Sequence, residues 1–369
     1  MISIATIAKH AHVSPATVTR VVNQSGYVSE EKRKAVMHAI EELGYIPNRM
    51  AGSLRRKKTN FIGYVLPELS ENPFFTRFSN AFDLAAQQEG YQVLTMITHL
   101  DAEREKQLVT SLVGMMVEAI VFLGGMVSPD TVEWVLSCDI PVVMIERHHR
   151  ISGVDAVVID NYQAVRTALE HIVSRGHERI GFIGRDIENE IEMQRLRGFL
   201  DGMREQGLEV PKHRLCKMPD YDPEYGRQAI CRMLDEGEPP TAVLVASDLL
   251  ACGVLQELYK RELRVPDDIS LVGFDNTLTE LSSPPLTSVE LQPDMIGAAA
   301  VDMVIERRQK ERSSAKTVMF SSVLVDRESV RDIRPSVYKE GKEDRYEDRK
   351  CSMGLDSHSR GSPTGGFPA

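Results

Sequence analysis

Ser14-Pro15-Ala16-Thr17-Val18-Thr19-Arg20-Val21-Val22-Asn23 is the stretch that points to a definite chemistry, that of reading another polymer rather than converting a substrate. At helical periodicity Val18, Val21 and Val22 share one face, leaving Pro15, Ala16, Thr17, Thr19, Arg20 and Asn23 on the other. Small residues at the start of such a helix let its backbone approach a DNA major groove, where bulky side chains would hold it away. Arg20 has the reach and the fork to pair with a guanine, and Thr17, Thr19 and Asn23 are short enough to hold phosphates and fix register. Pro15 and Ala16 carry no side-chain donor, so they suit thymine methyls or simply set the approach distance. With Ser14 as the helix cap, these residues form the candidate DNA-binding set.

Bond-making chemistry has no comparable foothold. No Walker loop, Gly-x-Gly-x-x-Gly, Gly-x-Ser-x-Gly or His-Glu-x-x-His pattern occurs in the chain. The five cysteines, at positions 138, 216, 231, 252 and 351, form no Cys-x-x-Cys pair, which argues for a reducing compartment and against a zinc knuckle. His148, His149, His171 and His177 read as surface or capping residues rather than metal ligands. The expectation is a protein that is not an enzyme and needs no cofactor or metal.

Three short helices are expected to carry the reading face. Ser3 is placed to cap the first, with Ile4, Ile7, Ala8 and Ala11 at helical spacing, and His12 and Val13 form a turn. Ser14 caps the second, with Pro15 in the first position, where a missing N–H costs nothing. Ser29 caps the third, Glu30 and Glu31 lie at the positive end of its dipole, and Gly44 stops it after Val36, Ile40 and Leu43. Residues 1–46 therefore make a small helical domain, and 47–59 a basic linker too short to own a core. From Phe61 the texture changes. Apolar runs at 61–67, 91–98, 119–124, 141–146, 156–160, 179–184, 242–247 and 269–275 alternate with helical stretches near 76–89, 103–117, 161–175, 192–206, 224–236 and 248–262. That alternation is the mark of parallel sheets covered on both faces, and its length calls for two doubly wound subdomains within 60–335. Ligands of such folds sit at the carboxyl ends of strands or in the cleft between subdomains. The tail, 336–369, is charged and then rich in Gly, Ser and Pro, and is expected to be disordered.

Charge divides along the same line. Residues 1–60 hold ten Lys and Arg against four acids, a balance of +6, so with −10 overall the remainder carries −16. A basic head on an acidic body is the footprint of a polyanion bound at one end. No run approaches the ~18 apolar residues that span a bilayer, and no export signal is visible, so a cytoplasmic protein without a membrane partner is expected.

The recognition stretch, with Ile4, Ala8 and Val13 before it and Gly26-Tyr27-Val28-Ser29 and Leu43-Gly44-Tyr45-Ile46-Pro47-Asn48 after it, resembles the lactose/galactose repressor (LacI/GalR) family of bacterial transcriptional regulators. The likeness continues through Ala51, Leu54, Pro67, Asn72-Pro73-Phe74-Phe75, Asp160-Asn161 and Gly176-His177. It ends with Val265-Pro266-Asp267-Asp268, Gly273-Phe274-Asp275 and Pro284-Pro285-Leu286-Thr287, so it spans roughly residues 2–335 in unbroken order. The resemblance implies an N-terminal helix-turn-helix on a periplasmic-binding-protein-like effector domain. It also implies that residues 48–57 fold into a hinge helix on operator DNA, with Leu54 wedged into the minor groove. Gly52 stands where the family usually carries Arg, which removes a phosphate contact.

For the effector, the resemblance implies a cleft site in which Phe74 and Phe75 form an apolar wall and Arg195 is the ligand-binding arginine. Tyr221 stacks on the ligand, Asp275 accepts from its hydroxyls, and Asp160 is a further candidate near the crossover. Ser247 and Glu146 face the same cleft where the family often has Asn and Asp. An arginine, carboxylates and aromatic rings suit a sugar or sugar derivative. The whole is expected to be a repressor that binds a palindromic operator as a dimer, since one head reads one half-site and the polar tail lacks the leucine heptad of tetrameric members. The competing reading, a solute-binding protein of the same α/β fold, leaves the helical head without a purpose.

Overall fold

Caps build the head. In a computed structural model of the chain, which describes residues 2–23, 25–45, 59–69, 72–125, 128–146, 151–187, 189–310 and 312–335, the first three helices are α1 (Ile4–His10), α2 (Pro15–Val22) and α3 (Glu30–Glu42). The Ser3 hydroxyl accepts from Thr6 N, and the Ser14 hydroxyl from Thr17 N with Pro15 in the first turn. Ser29 occupies the cap position of α3 but makes no side-chain cap bond, leaving Glu30 and Glu31 to answer the dipole there. The three helices enclose Ile7, Ala8, Val18, Val21, Val36 and Ala39. The expected hinge, including Leu54, lies outside the described residues.

Two six-stranded sheets follow. The first comprises β1 (Phe61–Leu66), β2 (Gln92–Ile97), β3 (Ala119–Leu123), β4 (Val142–Ile145), β5 (Asp155–Ile159) and β11 (Thr317–Phe320), all parallel, in the order β11-β5-β4-β3-β1-β2. Helices α4 (Pro73–Gln88) and α11 (Pro293–Arg308) pack together on it, as do α5 (Ala102–Gly114) and α6 (Pro129–Ser137). The second sheet, in the order β12-β10-β9-β8-β6-β7, holds β6 (Ile180–Arg185), β7 (Leu215–Met218), β8 (Ala242–Val245), β9 (Ser270–Phe274), β10 (Thr287–Glu290) and β12 (Val323–Val325). Only β12 runs antiparallel to its neighbour. Its helices are α7 (Asn161–Ser174), α8 (Glu190–Glu205), α9 (Pro223–Asp235) and α10 (Asp248–Lys260). The architecture is thus a helical head followed by two doubly wound α/β subdomains. β1, β3 and β4 are buried almost throughout, as parallel strands covered on both faces must be.

Close packing sets the second subdomain. A Cβ on Gly226 of α9 would lie 2.0 Å from the Leu250 carbonyl oxygen, and one on Gly253 of α10 would lie 1.7 Å from that of Pro223. The two helices therefore meet backbone to backbone, which no other residue type permits at either position.

The chain crosses between subdomains three times, from β5 into α7, from β10 into α11 and from β11 into β12. These strands are tied to one another: Asp160 N donates to Phe320 O at 3.0 Å and Gln292 Nε2 to Ser321 O at 2.6 Å. One apolar core, from Tyr64 and Phe82 to Phe199 and Phe274, draws on both subdomains. By its contacts the chain divides into Met1–Asp332, which holds every described helix and strand, and Ile333–Ala369, of which residues 333–335 are described and are neither helix nor strand.

Candidate functional site

Two constellations stand apart from ordinary packing. On the head, Val18 and Val21 are buried in α2, and Ser14, Pro15, Ala16, Arg20 and Asn23 are exposed, with Thr17 and Thr19 half-buried. The Ser14 hydroxyl is bonded to both Thr17 N and Thr17 Oγ1, and the Thr19 hydroxyl donates to Pro15 O at 2.9 Å. A phosphate is acceptor-only, so Thr19 must turn outward before it can hold one. Arg20 makes no ion pair among the described residues and is available to an outside acceptor. Tyr27, 90 % exposed just beyond this helix, is an aromatic that pattern reasoning left unassigned.

The second constellation is assembled from strand ends. In parallel sheets all carboxyl ends open on one side. Here that side collects Glu146 after β4, Asp160 and Asn161 after β5, Ala246 and Ser247 after β8, and Asp275 after β9. Arg195 enters from α8 and is only 4 % exposed. Its Nε donates to Asn161 Oδ1 at 2.8 Å, its Nη1 donates to Ala246 O at 2.8 Å and Tyr221 OH at 3.1 Å, and its guanidinium carbon lies 4.0 Å from the centre of the Phe274 ring. Asn161 passes the connection on, donating from Nδ2 to Glu146 Oε2 at 3.1 Å, while Glu146 Oε1 accepts from Ile159 N at 2.6 Å. Tyr221 OH in turn donates to Glu192 Oε1. One polar chain therefore links the first sheet to the second through the crossover residue Asn161.

Electrostatics follow from the burial. Desolvation pushes the Glu146 carboxyl up to about 7, with Asn161, Arg195 and the Ile159 N–H pulling the other way. Asp275 is raised well above its ordinary value by burial, against the pull of Arg195, and Asp248 is raised to about 6 for the same first reason. Burial works against the Arg195 charge, but Tyr221, Glu192, Asp275 and Glu146 together outweigh it. Glu146 and Asp275 both hold left-handed backbone, at φ 54° and 95°, a conformation that stores strain in residues other than glycine.

A third arginine spans the subdomains. Arg77 of α4 donates from Nη1 to Asn276 O at 2.6 Å and Asp275 O at 3.3 Å, and from Nη2 to Glu290 Oε2 at 2.7 Å. It thus holds the loop that bears Asp275 from the opposite subdomain. One turn earlier, Phe74 and Phe75 stand edge to face at 5.2 Å, half-buried on the fringe of the core, and a Cβ on Gly124 would lie 3.5 Å from Phe75.

The structure joins Arg195 to Tyr221 directly and to Glu146 through Asn161, and it places Ser247 and Asp275 at neighbouring strand ends, where Ser247 also caps α10 through Leu249 N. Asp160 stands aside: its carboxylate is spent capping α7 through Gln163 N at 2.9 Å, and the buried Asn161 occupies the place expected of it. The surface reading of His177 is also corrected. It is 2 % exposed, with Nδ1 3.0 Å from Thr241 Oγ1 and Nε2 3.0 Å from Arg331 O, because it ties the segment that follows β12 to the second sheet. Glu192 and Phe274 were missed. Glu192 lies three residues before Arg195 on one helix face and was open to detection by that spacing, whereas Phe274 and Arg77 join the cluster only through packing. Among the described residues no group of His, Cys, Asp and Glu is arranged to hold a metal, and no helix is long and apolar enough to cross a membrane.

Residues 3–48 match the family described as bacterial regulatory proteins, lacI family, and residues 169–330 match a periplasmic binding protein-like domain. The chain is 33 % identical over 327 residues to the HTH-type transcriptional regulator DegA of Bacillus subtilis, covering 88 % of this chain and 96 % of that protein. Among solved structures it is similar to the lac repressor dimer bound to operator and the anti-inducer ONPF, with a TM-score of 0.78, 27 % identity and coverage of 89 % and 99 %. It is also similar to the transcriptional regulator CelR in complex with cellobiose, with a TM-score of 0.67, 27 % identity and the same coverage of 89 % and 99 %.

Proposed function

We propose that this chain, which belongs to the lacI family of bacterial regulatory proteins, represses transcription in the cytoplasm by binding a palindromic operator as a homodimer. Members of the family are DNA-binding transcriptional regulators with an effector domain, and the chain is such a regulator, not an enzyme. The observation that carries the finer reading is the α2 face, where Arg20, without an ion pair among the described residues, stands with small and short polar residues above a buried valine stripe. Arg20 reads a guanine, Thr17, Thr19 and Asn23 hold phosphates, Pro15 and Ala16 set the approach, and Leu54 wedges the centre of the site. Apolar side chains left in solvent, Tyr259 and Leu281 at 86 % exposure and Leu84 at 58 %, support a second copy as partner.

The effector is a sugar or sugar derivative held by Arg195, Asp275, Tyr221, Ser247 and Glu146, with Phe74 and Phe75 as the apolar wall. Cellobiose bound by one relative supports that class. Effector binding acts by favouring one degree of closure about the three crossovers, and it does so only through different affinities for the two states. The first subdomain carries the response to the linker exit, where Thr59 Oγ1 donates to Met116 O and Asn60 N to Glu118 Oε1, both at 2.8 Å. The test is selection of binding sites from a random duplex library, followed by gel-shift titration across salt. Two-fold symmetric sites with affinity falling steeply as salt rises are expected. Asymmetric sites, or Arg20→Ala retaining full sequence preference, overturn the reading.

A further inference from the structure

We propose that the effector of this cleft is a donor-rich molecule, a neutral polyol or an amino sugar, and that Glu192 selects it against phosphorylated and carboxylated sugars. This rests on the effector reading above and sharpens it. The argument is a count of donors and acceptors. Arg195 is the cluster's central cation, yet its Nε and Nη1 are already given to Asn161, Ala246 and Tyr221 and Phe274 covers one face of the guanidinium, so only Nη2 is left without an acceptor among the described residues. Arg185, which lies over the Tyr221 ring, is paired with Asp220, and Arg77 is given to Asn276, Asp275 and Glu290. One guanidinium nitrogen, already in the field of Glu192, Asp275 and Glu146, is the cationic capacity left for an anion.

Acceptors, by contrast, are in surplus. Glu146 has donors on both oxygens, and so has Asp248, from Thr277 N and Ser288 Oγ. Asp275 and Glu192 do not. Asp275 is 6 % exposed and has the Ser247 hydroxyl as its side-chain donor. Glu192 is 8 % exposed and receives Tyr221 on one oxygen, while its second oxygen takes no hydrogen bond among the described residues. A carboxylate offers about four lone-pair sites, so Glu192 is under-filled, and Asp275, though burial favours its protonated form, keeps acceptor capacity to spare. Both also lie close enough to Arg195 to help hold its charge. Ring hydroxyls or an ammonium group supply the missing donors, whereas a phosphate or carboxylate brings only acceptors and more negative charge. Glu192 and Arg195 come from one face of α8, so the selecting acid and the organising base are placed by the same helix.

Calorimetric titration of the full chain with cellobiose, glucosamine, glucose 6-phosphate and gluconate tests this. Glucosamine or cellobiose binding, with neither anion bound, is the expected result. Glu192→Gln, which still accepts from Tyr221, should weaken the bound neutral or amino ligand by about tenfold, as expected for losing a charged acceptor, and Glu192→Asp should retain the preference. Arg195-dependent binding of either anion overturns this proposal and leaves the sugar reading standing. Binding that Glu192→Gln does not change overturns the role of Glu192. No binding of any of the four overturns both.

Discussion

Arg20 and Arg195 are the same residue type placed in opposite surroundings. Arg20 stands exposed near the end of α2 with no ion pair among the described residues, while Arg195 is 4 % exposed, donates to three acceptors and lies against Phe274. The head thus keeps its guanidinium unspent for a partner that arrives from outside. The strand-end cluster uses its guanidinium to organise itself, so that removing it disturbs the structure around it. Desolvation makes the difference: an exposed charge keeps its water until it binds, whereas a buried charge requires full pairing at once.

Four substitutions test that contrast, in falling order of effect on stability. Arg195→Ala leaves Ala246 O and Asn161 Oδ1 without their donor and the surrounding carboxylates without their counter-charge, and breaking a buried charge cluster costs about 3–5 kcal/mol. Urea unfolding followed through Trp134, the single tryptophan, reports it, and a loss below about 1 kcal/mol erases the contrast. Glu146→Gln addresses pH. The Glu146 carboxyl rises from 4.5 to about 7 on folding, so the folded protein keeps a proton that the unfolded chain has released. Stability therefore falls as pH climbs between those values and levels off above them, by roughly 3 kcal/mol at most. The glutamine variant should flatten that decline in melting temperature, leaving a residual slope of the same sign from Asp275 and Asp248. A profile parallel to the wild type's removes Glu146 as the cause.

Ser14→Ala removes the α2 cap and should destabilise the head by about 1 kcal/mol. Hydrogen exchange at residues 4–42 detects this, while the Trp134 transition stays unchanged. Arg20→Ala should move stability by no more than about 0.5 kcal/mol, yet cost about 1–3 kcal/mol of discrimination at one base pair in a gel-shift competition. A large loss of stability from Arg20→Ala means that the head, too, spends its arginine on itself.

Legibility varied along the chain for physical reasons. Each apolar run from 61–67 to 269–275 corresponds to a strand, all but the edge strand β2 in interior positions, where parallel strands are apolar on both faces. Four strands, β7, β10, β11 and β12, had no counterpart among those runs. They are short or edge strands, such as Thr317–Phe320 with two of its four residues exposed, and their pairing rather than their composition makes them strands. Helix α11 also escaped. It is packed by α4 on one side and by β4 and β5 on another, so its apolar residues form no single stripe. In the site, Arg195 and Glu146 were marked by resemblance, but their connection through Asn161 was not, because it depends on which strand ends meet and not on residue type or spacing.

By itself, the sequence determined what is local: three short helices, two of them capped by serine, the face that α2 presents, the basic head on an acidic body and the alternation that makes two parallel sheets. These depend on periodicity and caps, whose interactions close within one or two turns. Only the tertiary structure decided which strand ends meet, that Asn161 rather than Asp160 joins the subdomains, that Arg77 reaches across to hold Asp275 and that His177 is buried. Those contacts join residues as far as 198 positions apart, and burial, which sets their strength and their charge, exists only once the chain has folded around them.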